Sequence, residues 1–410
     1  MDPLYTPPTV SSNKIKISNK MSTPVLHPPD FTTFNPQSNS LLLTLPPEIR
    51  AEIFSYALTP FEDTSKAYQK HTYWTRPGYN APLKTHTELL RTCKRVYTET
   101  WFLPFALEEH SFYLTARDRR PPGNLSREEI ASCLELIRKV HGDDFDNGNG
   151  TGDVRVFAQL YILEPGDAFQ RVLNTRLLRP RRVRLTLRYT DFWHWEDNRR
   201  LYVYGRWVAR TRFPDCVRAF VVDFESLERR KGEVDIIVEQ AIERWMFQRK
   251  DGRVLKARSE EVAVSKWTGS SIFGGYRWLR DEVRPSELDY YVKTVTWRLA
   301  AGGIPPEMED ECPTISVPAD FQQPEPPYLG RPAVSEETMT AIMPKDEFAR
   351  FVNIMEWDAD EVGLSVRNYE GYGRVWRPCG RTVQKLRYQL ELERQEEERQ
   401  EAARDAAAGP

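Results

Sequence analysis

Two short segments of this 410-residue chain contain closely spaced residues of types that could bind a metal ion or a phosphate. In residues 143–153, DDFDNGNGTGD, Asp144 and Asp146 occupy positions 1 and 3 of an EF-hand-like calcium loop. The pattern then fails, because position 6 is Asn149 where the turn needs Gly and position 12 is Arg155 where a bidentate Glu is required. Asn-Gly pairs are typical of tight turns, so the segment is predicted to be a loop.

The second segment is a glycine cluster at residues 269–275, GSSIFGG, which lacks the glycine spacing and the following Lys-Ser/Thr of a phosphate-binding loop.

Asp223 and Glu225 share one face of a predicted strand, but without a pocket this pairing does not indicate acid-base catalysis. No hydrolase, P-loop, dinucleotide or zinc-protease motif occurs in the sequence. We therefore predict a non-catalytic protein with no cofactor, the alternative being an enzyme without a known motif.

An arginine-rich segment is the strongest candidate for binding anions. Residues 176–212 contain eleven Arg and three acidic residues, interleaved with Tyr, Phe and Trp. One hypothesis is a patch for a phosphorylated or acidic substrate, and a weaker one is a nucleic-acid interface. The alternation of Arg with Val and Leu also fits a half-buried strand whose charges face water or acidic neighbours. The candidate patch residues are Arg182, Arg184, Arg188, Arg199 and Arg200.

Composition excludes several classes of protein. The 58 basic and 60 acidic side chains give a formal charge of −2, which excludes a wholly basic nucleic-acid coat. The chain has no apolar run long enough to span a bilayer and no secretory signal in its first 30 residues, so we expect it in the cytosol or nucleus. The five Cys and six His are scattered without zinc-ligand spacing, and no metal site is expected.

The elements predicted from periodicity indicate an α+β, mixed α/β fold. A Pro-, Ser- and Thr-rich tail at 1–40 precedes a helical head at 41–114, in which Thr44 is expected to cap a short helix and a second helix covers 89–101. A mixed-sheet body is predicted at 115–303. Its predicted helices are 126–140, with a capping box of Ser126 and Glu129, and 234–248; its predicted strands are 154–163, 182–188, 217–224 and 291–300.

The remainder of the chain has a different composition. Eight prolines at 304–334 predict a linker or an arm draped on the body. A small segment at 335–383, with a helix near 346–357, precedes a charged helix and tail at 384–410. That helix is predicted to be solvated, with a coiled coil as the alternative, because its apolar stripe is too sparse for three heptads.

Two motifs in the head resemble the halves of an F-box. LPPEIR at 45–50 and IFSYAL at 53–58 resemble its first half, and LRTCKRVY at 90–97 resembles its second. Together with the EEHSFYL segment at 108–114, they are similar to the F-box-like head of a large set of fungal proteins. The intervening loop, 59–85, is longer than in an ordinary F-box, and its Tyr73, Trp74 and Tyr79 could fold over the docking face. Tyr97 stands at a position where the F-box family often has Trp.

This resemblance implies a protein that docks on the Skp adaptor of a cullin-RING ubiquitin ligase and presents a protein substrate to it. The alternative is a stand-alone scaffold or binding module in which the same apolar residues pack into the core. A small helical hairpin cannot bury all its apolar residues, so Leu45, Pro46, Ile49, Ile53 and Leu58 are expected to be available to a partner. The implied adaptor-binding residues are Leu45, Pro46, Ile49, Ile53, Phe54, Leu58, Leu90, Cys93 and Val96.

Overall fold

The computed structural model describes residues 28–29, 33–141, 151–274, 276–284, 286–300, 313–324, 326 and 334–335. The α-helices within these ranges are α1 (Leu41–Thr44), α2 (Pro47–Ala57), α3 (Lys94–Thr100), α4 (Leu103–Leu107), α5 (Arg127–His141), α6 (Leu160–Leu163), α7 (Asp167–Leu173), α8 (Arg206–Arg210) and α9 (Lys231–Arg244). The longer strands are β3 (His110–Leu114), β4 (Val154–Ala158), β5 (Arg182–Leu187), β8 (Ala219–Leu227), β9 (Phe247–Arg249), β10 (Val254–Ala257), β11 (Ala263–Ser270) and β14 (Glu287–Ala300). Two-residue strands are β1 (Phe61–Glu62), β2 (Leu83–Lys84), β6 (Tyr202–Val203), β7 (Arg212–Phe213), β12 (Ile272–Phe273), β13 (Tyr276–Arg277), β15 (Ile315–Ser316) and β16 (Val334–Ser335).

A nine-stranded mixed sheet organises the body. Its strand order is β3-β4-β5-β8-β14-β10-β9-β7, and β11 pairs with the first part of β14. The first four strands are parallel, whereas β14 is antiparallel to β8, β10 and β11. Helices connect the parallel strands, as parallel pairing requires. The predicted α+β class with a mixed sheet is confirmed.

One face of the sheet packs against helices and forms the main apolar core. Alternate residues of β5 and β8, among them Leu185, Val222 and Phe224, are fully buried there. Helix α5 contributes Ile130 and Leu134, and its predicted capping box is confirmed by the hydrogen bonds between Ser126 and Glu129. The other face of the same strands presents charged and hydroxyl side chains, because successive residues of a strand point in opposite directions.

Several predicted elements differ from those observed. The predicted strand at 154–163 ends at Ala158 and continues as α6, and the predicted helix at 234–248 ends at Arg244. The second helix of the head, predicted at 89–101, is a 3-10 turn at Leu89–Arg91 followed by α3. Thr44 does not cap α2; Pro46 is the residue before that helix, and Thr44 closes α1 through a bond to the Leu41 carbonyl.

The predicted boundary between head and body, residue 114, lies at the end of a strand of the main sheet. Strand β3 pairs in parallel with β4, so the head continues into the body without an interruption. Residues 313–324, part of the segment predicted to be a linker or a draped arm, lie against the body, with Trp245 Nε1 donating to the Pro313 carbonyl. Most of the predicted tail at 1–40 and the segments at 335–383 and 384–410 lie outside the described residues, except 28–29, 33–40 and Ser335. No described helix is long and apolar enough to cross a membrane.

His110, at the start of β3, makes the stability of the folded protein depend on pH. Its ring packs 4.6 Å from that of Phe105, and its Nε2 is buried with no hydrogen-bond partner among the described residues. Burial lowers the pKa of His110 to about 4. The folded protein therefore binds this proton less readily than the unfolded chain, and the resulting stability, present above pH 6.5, is lost as the pH falls toward 4.

We predict that His110→Phe makes the free energy of unfolding less sensitive to acid. Between pH 7 and pH 4 the variant should lose about 2–3 kcal/mol less than the wild type, as measured by urea unfolding. His86→Phe, which changes an exposed imidazole, is the matched control and should follow the wild type. Equal losses in the wild type and in His110→Phe would contradict the prediction.

Candidate protein-binding surface and its attachment to the sheet

The two F-box-like motifs pack against each other in the head. Leu43, Phe54 and Val96 form its small core, with Leu89 and Cys93 packed around them. An ion pair joins α2 to α3 across 49 residues, because the Arg50 guanidinium donates to both carboxylate oxygens of Glu99 at 3.0 Å. Arg50 also donates to the Leu45 carbonyl, which fixes the chain at the start of the first motif.

Helix α2 has two apolar sides. Phe54 and the following Leu58 are fully buried against the head. Ile49, Ile53 and Tyr56 follow the i, i+4, i+7 spacing of one helix face and are 47%, 39% and 77% exposed. These three residues are the exposed stripe. Such a row of large apolar side chains in water is a feature of protein-docking surfaces.

The predicted adaptor-binding residues divide into three groups by exposure. Exposed are Pro46, Ile49 and Ile53; half-buried are Leu45, Leu90 and Cys93; buried are Phe54, Leu58 and Val96. The expectation that Leu58 is available to a partner is wrong, because it is 0% exposed and completes the inner side of α2. Tyr56 was missed, although its spacing from Ile49 and Ile53 was visible in the sequence.

The long loop between the motifs does not cover the exposed stripe. It crosses the polar face of the sheet instead, where Tyr79 packs edge-on against Phe157 at 5.0 Å and Tyr73 packs near Phe273 at 5.2 Å. Gly274, the last described residue of the glycine cluster, has φ +64, and a Cβ there would lie 2.2 Å from the Tyr73 hydroxyl. This glycine therefore admits the aromatic ring of the loop, a packing role that explains it without a phosphate.

A buried ion pair anchors the same loop. Arg76 is 8% exposed, and its Nη2 donates to Glu225 Oε2 at 2.7 Å, on β8. Trp267 Nε1 donates to the same carboxylate at 3.0 Å. Burial raises the pKa of Glu225 even though Arg76 is close by. The attraction between the charges therefore does not fully offset desolvation, so the pair fixes the position of the loop more than it adds stability.

Asp223, two residues earlier on the same face, is neutralised from the neighbouring strand. Arg184 donates to both of its carboxylate oxygens at 2.7 Å, and Thr186 and Thr294 add hydrogen bonds. Burial alone would raise the pKa of Asp223, but the hydrogen bonds and charge of Arg184 hold it below the ordinary value. The pairing of Asp223 and Glu225 in sequence thus reflects two buried ion pairs and not an acid-base dyad.

Similar intramolecular contacts involve most of the arginines of the predicted patch. Arg188 is buried in a bidentate pair with Asp191, and Arg184 is paired with Asp223, so both guanidinium groups already have an anionic partner within the chain. Arg182 is exposed but pairs with Asp153 at 2.6 Å. Arg199 and Arg200 are exposed, and Arg200 donates to the Phe321 carbonyl. Intramolecular pairing therefore accounts for the alternating part of the arginine-rich segment.

Among the described ranges, no group of three or more His, Cys, Asp or Glu side chains is arranged to bind a metal ion. Comparison of the chain with protein-family models, with curated proteins and with solved structures finds no match.

We predict that Arg76→Ala destabilises the protein by about 3–5 kcal/mol near pH 8, because Glu225 is then buried without its partner. The penalty should shrink toward pH 5, since the unpaired carboxyl can take up a proton. Urea unfolding at both pH values measures this, and limited proteolysis should show cleavage within residues 59–85. Adding Glu225→Gln should recover part of the loss.

Arg91→Ala is the matched control, because Arg91 is exposed in the head and should change stability by less than about 0.5 kcal/mol. A wild-type urea midpoint for Arg76→Ala would show that the ion pair does not anchor the loop.

Proposed function

We propose that this protein is a non-catalytic adaptor of the cytosol or nucleus, in which the F-box-like head docks on a Skp-type adaptor and the sheet body holds a protein substrate for a cullin-RING ubiquitin ligase. The observation that supports it best is the exposed stripe, Ile49, Ile53 and Tyr56, which lies within the first of the two F-box-like motifs. The motif thus contributes to the core through one side of α2 and remains open on the other.

The attachment of the head also supports this assignment. An adaptor has to hold its substrate at a fixed position relative to the ligase. Its docking helix must therefore be fixed relative to the body that binds the substrate. Here the Arg50–Glu99 pair fixes α2 to α3, and the chain continues through Trp101 and Phe105 of the main core into β3. The long loop adds a second attachment through Arg76.

A stand-alone scaffold is the second candidate, and a separate observation favours it. The head shares strand β3 and the anchored loop with the body, as expected where an F-box-like segment is part of a single core. The two candidates differ in one measurable property: a Skp adaptor binds the wild-type chain in the first and does not bind it in the second.

We predict that the full chain co-elutes with a purified Skp adaptor at one to one in size-exclusion chromatography and that Ile53→Asp reduces the affinity at least tenfold. The substitution places a charge within the exposed stripe, so the circular dichroism spectrum and melting temperature should stay close to those of the wild type. Leu58→Asp is unsuitable for this test, because the charge would be buried and would unfold the head.

Ala51→Asp is the matched control, since it adds the same charge at an exposed position of α2 outside the exposed stripe. It should leave Skp binding within about twofold of the wild type. If the folded wild-type chain and the adaptor elute as two separate peaks, the ligase proposal fails and the scaffold is favoured.

A further inference from the structure

A wide cleft lies at the edge of the main sheet. Its volume is about 1060 Å³, and it is lined by the loop segment around Tyr68 and Trp74, by β3, by the turn and first residues of α5, and by one side of α7. It is distinct from the exposed stripe of α2, none of whose residues line it. This volume lies at the upper limit of ordinary small-molecule pockets, so the cleft has room for a longer ligand.

Strand β3 forms one wall of the cleft, and it is the terminal strand of the sheet. His110 N donates to the Asp153 carbonyl, and Gln159 N donates to the Leu114 carbonyl. In a parallel pair the residues that bond to the neighbouring strand alternate with residues that point away from it. The backbone groups of Ser111 and Tyr113 therefore point away from β4, and among the described residues no backbone group pairs with them.

A strand edge with unpaired N–H and C=O groups is a template for another extended chain. Native proteins commonly protect such an edge with a short length, a charge or a covering element. Here the edge borders a cleft whose lining also includes Tyr68 and Trp74. An added strand would obtain backbone hydrogen bonds from β3 and apolar contacts from the aromatic rings, which is a recurring mode of peptide recognition.

The charge of the cleft indicates which peptides fit. Arg117, Arg120 and Arg171 line it, are exposed, and form no ion pair within the described part of the chain. Arg127 also lines it but pairs with Glu128, the single acidic residue of the lining. Three unpaired guanidinium groups along an extended peptide favour carboxylate or phosphate side chains.

We propose that this cleft binds an extended peptide segment with acidic side chains, carboxylate or phosphorylated, as an additional strand on the free edge of β3. The proposal rests on the proposed function in one respect, because it identifies the segment as the part of a protein substrate that the body recognises. The arginine side chains select the peptide by charge, and the backbone of Ser111 and Tyr113 binds its main chain.

The experiment uses the full chain and synthetic decapeptides in which Val or Thr alternates with Asp, phosphoserine, Gln or Lys. Fluorescence anisotropy should show binding of the Asp and phosphoserine peptides, at least tenfold weaker binding of the Gln peptide, and none of the Lys peptide. Whichever of the two acidic peptides binds more tightly shows whether the cleft prefers carboxylate or phosphate side chains. Arg117→Glu/Arg120→Glu/Arg171→Glu should weaken binding of the acidic peptides at least tenfold.

The matched control is Arg206→Glu/Arg218→Glu/Arg258→Glu, which makes the same change of charge at exposed positions outside the cleft. Its affinity for the acidic peptides should stay within about twofold of the wild type. Both triple variants are checked for wild-type melting temperatures before binding is compared.

Strand addition has its own test. The bound acidic peptide is N-methylated at every second residue, in each of the two possible registers. One register should bind at least tenfold more weakly and the other nearly normally, because only alternate peptide N–H groups meet β3. In hydrogen exchange, the amides of Ser111 and Tyr113 should become protected when the unmethylated peptide is bound.

Three results would overturn the proposal. The first is that no acidic peptide binds the folded chain, or that the Gln peptide binds equally well. The second is that both methylated registers bind alike without added protection of β3. The third is that a ten-nucleotide oligothymidylate binds more tightly and loses its affinity in the cleft variant, which would assign the cleft to nucleic acid.

Failure here is distinguishable from failure of the ligase proposal. The cleft variant should still co-elute with the Skp adaptor, and Ile53→Asp should still bind the acidic peptide, because the two surfaces share no residue.

Discussion

The buried ion pair between Arg76 and Glu225 is the interaction on which the arrangement of the molecule depends. One face of the nine-stranded sheet is covered by helices, but its other face has carboxylates at the centre of β8. Uncompensated charges at such a position would be too costly to bury. The loop between the two F-box-like motifs supplies the missing arginine, together with aromatic rings that exclude water from the same face.

This requirement explains why the head and body form a continuous structure. The long loop between the motifs reaches across the polar face of the sheet to Glu225 and Phe157 and contacts Phe273 beyond it. Because the loop is committed to the sheet, it leaves the outer side of α2 uncovered. The same structural constraint therefore neutralises the buried Glu225 and leaves the exposed stripe accessible.

Two of the five arginines that suggested an anion-binding patch serve the same internal purpose. Arg184 and Arg188 neutralise buried aspartates, and their place in an alternating strand segment is a consequence of the two faces of β5. Three guanidinium groups without an ion pair in the described part of the chain, those of Arg117, Arg120 and Arg171, line the cleft beside β3. The two proposed docking surfaces thus lie where the sheet and the head each end, at the terminal strand β3 and at the exposed side of α2.

The sequence alone determined the mixed α/β class, the strands at β5, β8 and β14, and the α5 capping box, because these features follow from local periodicity and hydrogen bonding. Local periodicity also predicted the short helix that is α2. Only the tertiary structure decided which apolar residues of α2 are buried, since Leu58 and Ile53 differ only in the surface they meet. The partners of Arg76, Arg184 and Arg50 were likewise invisible in sequence, because they lie 149, 39 and 49 residues away and electrostatic pairing depends on distance in space.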